Sequence, residues 1–121
     1  MNWALSVALS RWRHRAAYAL RSPFVYRNWW ALLLPKLGYD TTLVLRNGLR
    51  YSVRGGTNDL AVVNEAAILD PYLGPGHVTL APDATVIDAG ANIGDFSIRA
   101  AAACPRGRVL AIEPVTELGQ R

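Results

Sequence analysis

The stretch Val86-Ile87-Asp88-Ala89-Gly90-Ala91-Asn92-Ile93-Gly94-Asp95-Phe96 limits the fold of this chain more than any other. It joins a short β-branched run, Thr85 to Asp88, through a glycine-rich turn to an alanine-rich segment that reads as a helix from about Ile93 to Ala103. Cys104-Pro105-Arg106-Gly107 closes that helix. Val109 to Ile112 then forms a solid apolar run of the kind shown by a parallel strand buried on both faces. The order is strand, turn, helix, strand: a βαβ unit, whose crossover is right-handed.

Upstream, the apolar period changes twice. Leu5, Leu9, Trp12, Ala16 and Leu20 recur at helical spacing with Arg11, His14 and Arg15 on the other side, which predicts an amphipathic helix ended by Ser22-Pro23. An aromatic segment from Phe24 to Leu34 follows, with Trp29, Trp30 and the leucines as a second helical piece. From Thr42 to Arg54 the period is two, and Asn47-Gly48 divides it into strands 42–46 and 49–54 of a hairpin. After Gly55-Gly56, Thr57 or Asn58 caps a helix from Asp59 to about Leu69 with Leu60, Val63, Ala67 and Ile68 inward. Pro71, Gly74, Pro75 and Gly76 make the loop to the βαβ unit.

With 51% hydrophobic and 18% charged residues in 121, the chain suits one packed domain and neither a disordered nor a fibrous protein. The single Cys104 forms no internal disulfide, and with only His14 and His77 beside it no zinc-ligand spacing arises. A reducing, cytoplasmic setting fits, since the first apolar stretch precedes the basic cluster, the reverse of a signal peptide. The longest apolar run, Trp29 to Pro35, is far below the ~18 residues of a spanning helix. Charge divides the chain: residues 1–50 hold eight basic residues against one acid, a net +7, and residues 51–121 hold five against eight, a net −3. Residues 1–39 therefore read as a basic helical segment able to touch an anionic membrane surface, and 40–121 as the domain that carries chemistry. Without an aromatic RNA-binding signature beside the arginines, nucleic acid is not expected as a partner.

In the βαβ turn, Gly90 permits a tight bend and close ligand approach, and Gly94 close packing of helix on strand. The helix N-terminus between them would present unpaired N–H groups. Glu113 ends the second strand 19 residues after Gly94, near the ~20 expected of an acid that takes ribose hydroxyls. An adenosine-bearing ligand follows. A dinucleotide turn wants G-x-G-x-x-G, whereas here Gly-Ala-Asn-Ile-Gly follows an acid that would repel a pyrophosphate. Asp88 suits an ammonium group and a sulfonium centre, and S-adenosylmethionine has both.

Val86 to Phe96, with Ala111-Ile112-Glu113-Pro114, resembles motif I and the second-strand acid of class I methyltransferases, the FkbM family most closely. Arg54-Gly55-Gly56-Thr57-Asn58-Asp59, with Glu65 and Tyr72, is similar to that family's lead-in, so the likeness runs from about residue 40 onward. The resemblance implies an α/β, Rossmann-like class I methyltransferase fold preceded by the helical segment and hairpin. It also implies methyl transfer from S-adenosylmethionine to the hydroxyl of a small-molecule or glycan acceptor, such as a sugar or secondary metabolite. Carried onto this chain, Asp88, Gly90, Ala91, Asn92, Gly94 and Phe96 would hold the methionine end, and Glu113 the ribose. Asn92 stands where many class I enzymes have a middle glycine. Thr57, Asp59 and Glu65 would cover the pocket. A nicotinamide-dependent oxidoreductase and a non-catalytic basic adaptor stay open as alternatives.

A complete sheet of that class has about seven strands with the ligand strand central, and two parallel strands alone leave apolar edges uncovered. The sequence thus reads as the N-terminal part of a longer protein, inactive alone, with the catalytic base after the second strand.

Overall fold

A computed structural model describes residues 3–115, with the side chains of 3–12 and 14 left aside. The chain runs α1 (Trp3–Val25), a 3-10 turn (Trp29–Leu32), α2 (Leu33–Lys36), β1 (Thr41–Val44), β2 (Arg50–Val53), α3 (Asp59–Asn64) with a π turn (Glu65–Leu69), β3 (Thr85–Ala89), α4 (Asp95–Ala103) and β4 (Arg108–Ile112). Residues 116–121 lie outside the described set, and with them the helix that Val115 to Leu118 would start.

Helix α1 runs three residues past the break expected at Ser22-Pro23, so that Pro23 sits inside its last turn. A proline this close to a helix end removes an N–H from a ladder that is about to stop, and its neighbours supply other bonds. The Ser22 hydroxyl donates to the Tyr18 carbonyl, and Tyr26 N–H to the Ser22 carbonyl.

The hairpin forms as an antiparallel pair with Leu43 opposite Tyr51. Its strands are shorter than 42–46 and 49–54, because Leu45 leaves β1 to bridge Tyr26 and because Arg46, Asn47 and Gly48 form the turn, with Gly48 at φ +93°. The outer edge of β1 is filled by the chain leaving α1. Arg27 N–H donates to the Val44 carbonyl, Arg46 N–H to the Val25 carbonyl, and the Asn28 side chain bonds both Thr42 O and Val44 N at 2.9 Å. An edge closed in this way offers no template for another strand.

Inward residues of this layer make the core: Tyr26, Ala31, Leu43, Leu45, Tyr51, Val53, Leu60 and Val63. Ala66, missing from the helical reading of 59–69, is buried in place of full burial of Ala67. The π turn shifts the helical phase after Asn64, which re-aims the following side chains.

β3 and β4 pair in parallel, Ile87 beside Leu110 and Ala89 beside Ile112, with α4 connecting them and packed on one face. Ile93 and Ile98 join this unit to the core. The expectation that Val109 to Ile112 is buried on both faces fails among the described residues. Ile87, Leu110 and Ile112, on the face away from α4, are 65%, 54% and 57% exposed.

Candidate functional site

The turn between β3 and α4 is held by the end of β4. Gly90 and Ala91 both donate their N–H groups to the Ile112 carbonyl, at 2.8 and 3.0 Å, and Gly94 N–H reaches the Ala91 carbonyl at 2.7 Å. Asn92 N–H donates to Glu113 Oε2 at 2.7 Å, and Val115 N–H to Glu113 Oε1 at 2.9 Å. Gly90, Asn92 and Gly94 have φ of +82°, +51° and +79°. Two of these left-handed positions are glycine, and asparagine is a residue type that tolerates the third.

This geometry revises two expectations. A Cβ on Gly94 would meet nothing within 4 Å, so backbone conformation and not close helix packing requires glycine there. The unpaired N–H groups expected of the turn are also largely spent, since those of Gly90, Ala91, Asn92 and Gly94 all have partners inside the protein. What faces the opening is acidic. A cavity of about 330 Å³ is lined by Tyr72, Asp88, Ala89, Gly90, Ala91, Asp95 and Phe96. Its volume is at the lower end of the ~300–1,000 Å³ typical of small-molecule sites.

Within the cavity, Asp88 accepts a 2.6 Å hydrogen bond from the Ser97 hydroxyl, which fixes one carboxylate oxygen. Asp95 heads α4, and burial, reinforced by the charges of Asp88 and Glu65, raises its pKa above the ordinary carboxylate value. Its backbone carbonyl is approached at 3.4 Å by the Tyr51 hydroxyl, whose burial pushes the phenol up to about 12, so Tyr51 stays a donor near neutral pH. Tyr72 and Phe96 meet edge to face with ring centroids 5.4 Å apart, forming an aromatic wall. The Arg99–Asp70 ion pair ties α4 to the loop that carries Tyr72.

The structure brings Asp88, Gly90, Ala91 and Phe96 to one cavity, with Asn92 and Gly94 shaping the turn and Glu113 bracing it from β4. Thr57 and Asp59 do not line it. Asp59 spends both carboxylate oxygens on Arg54, with Arg54 Nε and Nη2 each at 2.8 Å, and this guanidinium holds its pKa below the ordinary value. Thr57 bonds the Arg54 carbonyl and the Asp59 N–H in the loop before α3. Glu65 acts on the site only as a nearby charge. Sequence reasoning missed Asp95, Ser97 and Tyr72 as lining or orienting residues. Asp95 and Ser97 lie in the first turn of the helix that follows the glycines, where side chains of that turn can reach the end of the preceding strand.

Over 64 residues, 53% of its length, the chain is 39% identical to the AMB antimetabolite synthetase AmbE of Pseudomonas aeruginosa, and it spans 3% of the length of that protein. No protein-family model matches the chain. No solved structure matches it. The relative is thus an enzyme named as a synthetase, and membership of the FkbM family is not shown. The match also corrects the expected activity: S-adenosylmethionine-dependent methylation of a sugar or secondary-metabolite hydroxyl gives way to likeness with a synthetase segment. The physical reason lies in the motif, since a glycine-rich βαβ turn with a strand-end acid describes how a ligand is held and does not fix the reaction. The two carboxylates at the turn, Asp88 and Asp95, oppose a dinucleotide pyrophosphate, which disfavours the nicotinamide alternative. Among the described residues, no helix is long and apolar enough to cross a membrane.

Proposed function

We propose that β3, α4 and β4 form the ligand-holding βαβ unit of a Rossmann-like domain in a biosynthetic enzyme of the synthetase kind, and that its ligand is S-adenosylmethionine. The observation that carries this reading is the pairing of two carboxylates, Asp88 and Asp95, with an aromatic wall, Tyr72 and Phe96, around one cavity. Carboxylates that share a half-buried site favour a cation, and aromatic faces favour the same charge when it is poorly hydrated. The ammonium and sulfonium groups of S-adenosylmethionine meet both requirements. A phosphate meets neither requirement, since the carboxylates repel it, and the turn's Gly90, Ala91, Asn92 and Gly94 N–H groups are already engaged.

In this reading Asp88, oriented by Ser97, takes the ammonium. Asp95, with its raised pKa, gains most from a nearby positive charge, which offsets the repulsion between the two acids. Gly90 leaves open the space where a Cβ would stand. Glu113 keeps lone pairs for ribose hydroxyls beyond the two backbone bonds it already accepts. Isothermal titration tests the proposal. S-adenosylmethionine should bind, adenosine at least ~10-fold more weakly, and Asp88→Asn should cost a similar factor. Equal affinity for adenosine and S-adenosylmethionine would remove the carboxylates from the recognition.

A further inference from the structure

We infer that residues 20–37 form a docking surface for an anionic lipid bilayer, independent of the cavity. Leu20, Phe24, Trp29, Trp30, Leu33 and Leu37 are each between 51% and 80% exposed. Leu20 and Phe24 stand one turn apart on α1, and Leu33 and Leu37 one turn apart along α2 and its cap, so each pair shares a face. The inward positions of the same stretch are already filled by Tyr26, Ala31 and Pro35. The segment therefore completes the core with one set of apolar side chains and leaves a second set, these six, outside it. An apolar surface this dense marks an interaction site.

Charge selects the occupant. Residues 1–39 contain six basic side chains and no acid, and Arg21, Arg27 and Lys36 are exposed among the apolar residues. A second copy would set this positive charge against its own kind. A protein partner would more commonly meet a rim of mixed sign, with leucine rarely among the residues that dominate its binding energy. Leucine, phenylalanine and tryptophan interleaved with arginine instead match the composition of segments that lie in the headgroup boundary. There the indoles sit at the interface, and each nearby cation is attracted to anionic lipid. With no helix among the described residues able to cross the bilayer, the contact is one of lying on the surface.

The test is co-sedimentation of the 121-residue chain with vesicles of phosphatidylcholine alone and of phosphatidylcholine with about a third phosphatidylserine, read by bound fraction and by tryptophan emission. The expected result is binding to the anionic vesicles at least ~10-fold tighter than to the neutral ones, weakened by ~0.5 M salt and accompanied by a blue shift. A triple variant, Phe24→Ser with Trp29→Ser and Trp30→Ser, should lose at least ~10-fold of that binding and melt with the parent, since the three side chains are exposed. Arg21→Ala with Arg27→Ala should lower the salt-sensitive part alone. Failure to sediment with either vesicle, or equal sedimentation with both, overturns the inference. A dimer in analytical ultracentrifugation that the triple variant dissociates overturns it too, because a second copy would then cover the surface.

Discussion

The hairpin β1–β2 and the parallel pair β3–β4 are both two-stranded, yet Leu43, Tyr51 and Val53 of the hairpin are almost fully buried while Ile87, Leu110 and Ile112 of the pair are more than half exposed. The hairpin also has its β1 edge filled by residues 25–28, and the Gly55 N–H bonds the Asp40 carboxylate just past β2. The parallel pair has α4 on one face and backbone hydrogen bonds at both ends: Ile112 and Glu113 hold the Gly90–Gly94 turn at one, and the Arg106 and Arg108 N–H groups reach the Pro82 and Ala84 carbonyls at the other. Rigidity and chemistry are thus divided: the first region supplies most of the buried apolar contact, and the second places a cavity at the tips of its strands. Tyr51 and the Arg99–Asp70 pair join the two, so the core orients the first turn of α4.

Large effects are expected in the hairpin region. A Cβ on Gly55 would stand 2.1 Å from the Gly38 carbonyl carbon and 2.4 Å from Tyr39 N, both backbone, so Gly55→Ala should cost more than ~3 kcal/mol in denaturant unfolding. Leu43→Ala should cost ~2–5 kcal/mol by the same measurement. A loss below ~1 kcal/mol for both would erase the contrast between the regions.

Next comes Asp59. Its pKa is lowered in the folded chain, chiefly by the hydrogen bond from Arg54, so its contribution is complete above the unfolded value near ~4 and is lost as pH falls through the folded value. Asp59→Asn should cost ~1–3 kcal/mol at neutral pH and flatten the acid side of the stability profile. An unchanged acid limb would show that the ion pair does not hold the loop before α3.

Asp95 has the opposite sign. Its pKa is raised in the folded chain, so folding disfavours its ionised form, and the penalty present at neutral pH disappears as pH falls below the ordinary carboxylate range. Asp95→Asn should therefore raise the melting temperature at pH 7, converge with the parent below about pH 3, and weaken S-adenosylmethionine binding. Gained stability with unchanged binding would detach this residue from the ligand. The smallest effects belong to the open face, where Leu110→Thr and Ile112→Thr should each change stability by under ~0.5 kcal/mol.

What the sequence made legible follows from the range of the interactions involved. Asn47-Gly48 with alternating apolar residues, and Asp88-x-Gly90 before an alanine-rich run, are local patterns, and both the hairpin and the strand–turn–helix–strand order appear where they predict. Helix α1 outruns Ser22-Pro23 because Tyr26 is drawn into the bridge with Leu45, a contact nineteen positions away that no local rule contains. Asp59 looked like a cover for the pocket but is committed to Arg54, and Ser97 became visible only once α4 stood beside Asp88. At Gly94 the φ of +79° and not the closeness of a neighbour calls for glycine, a conformational demand that the spacing of the motif does not reveal. The reaction was the least legible part, because it depends on groups around the ligand and not on the turn that holds it.

The most direct measurement of the central claim is amide hydrogen exchange of the 121-residue chain with and without S-adenosylmethionine. The account predicts added protection across 88–97 and at Glu113, where Asp88, the Gly90–Gly94 turn and the first turn of α4 would close on the ligand, with the hairpin amides of 41–53 already slow and unchanged. Protection confined to the hairpin, or no change at 88–97 at saturating ligand, would contradict it.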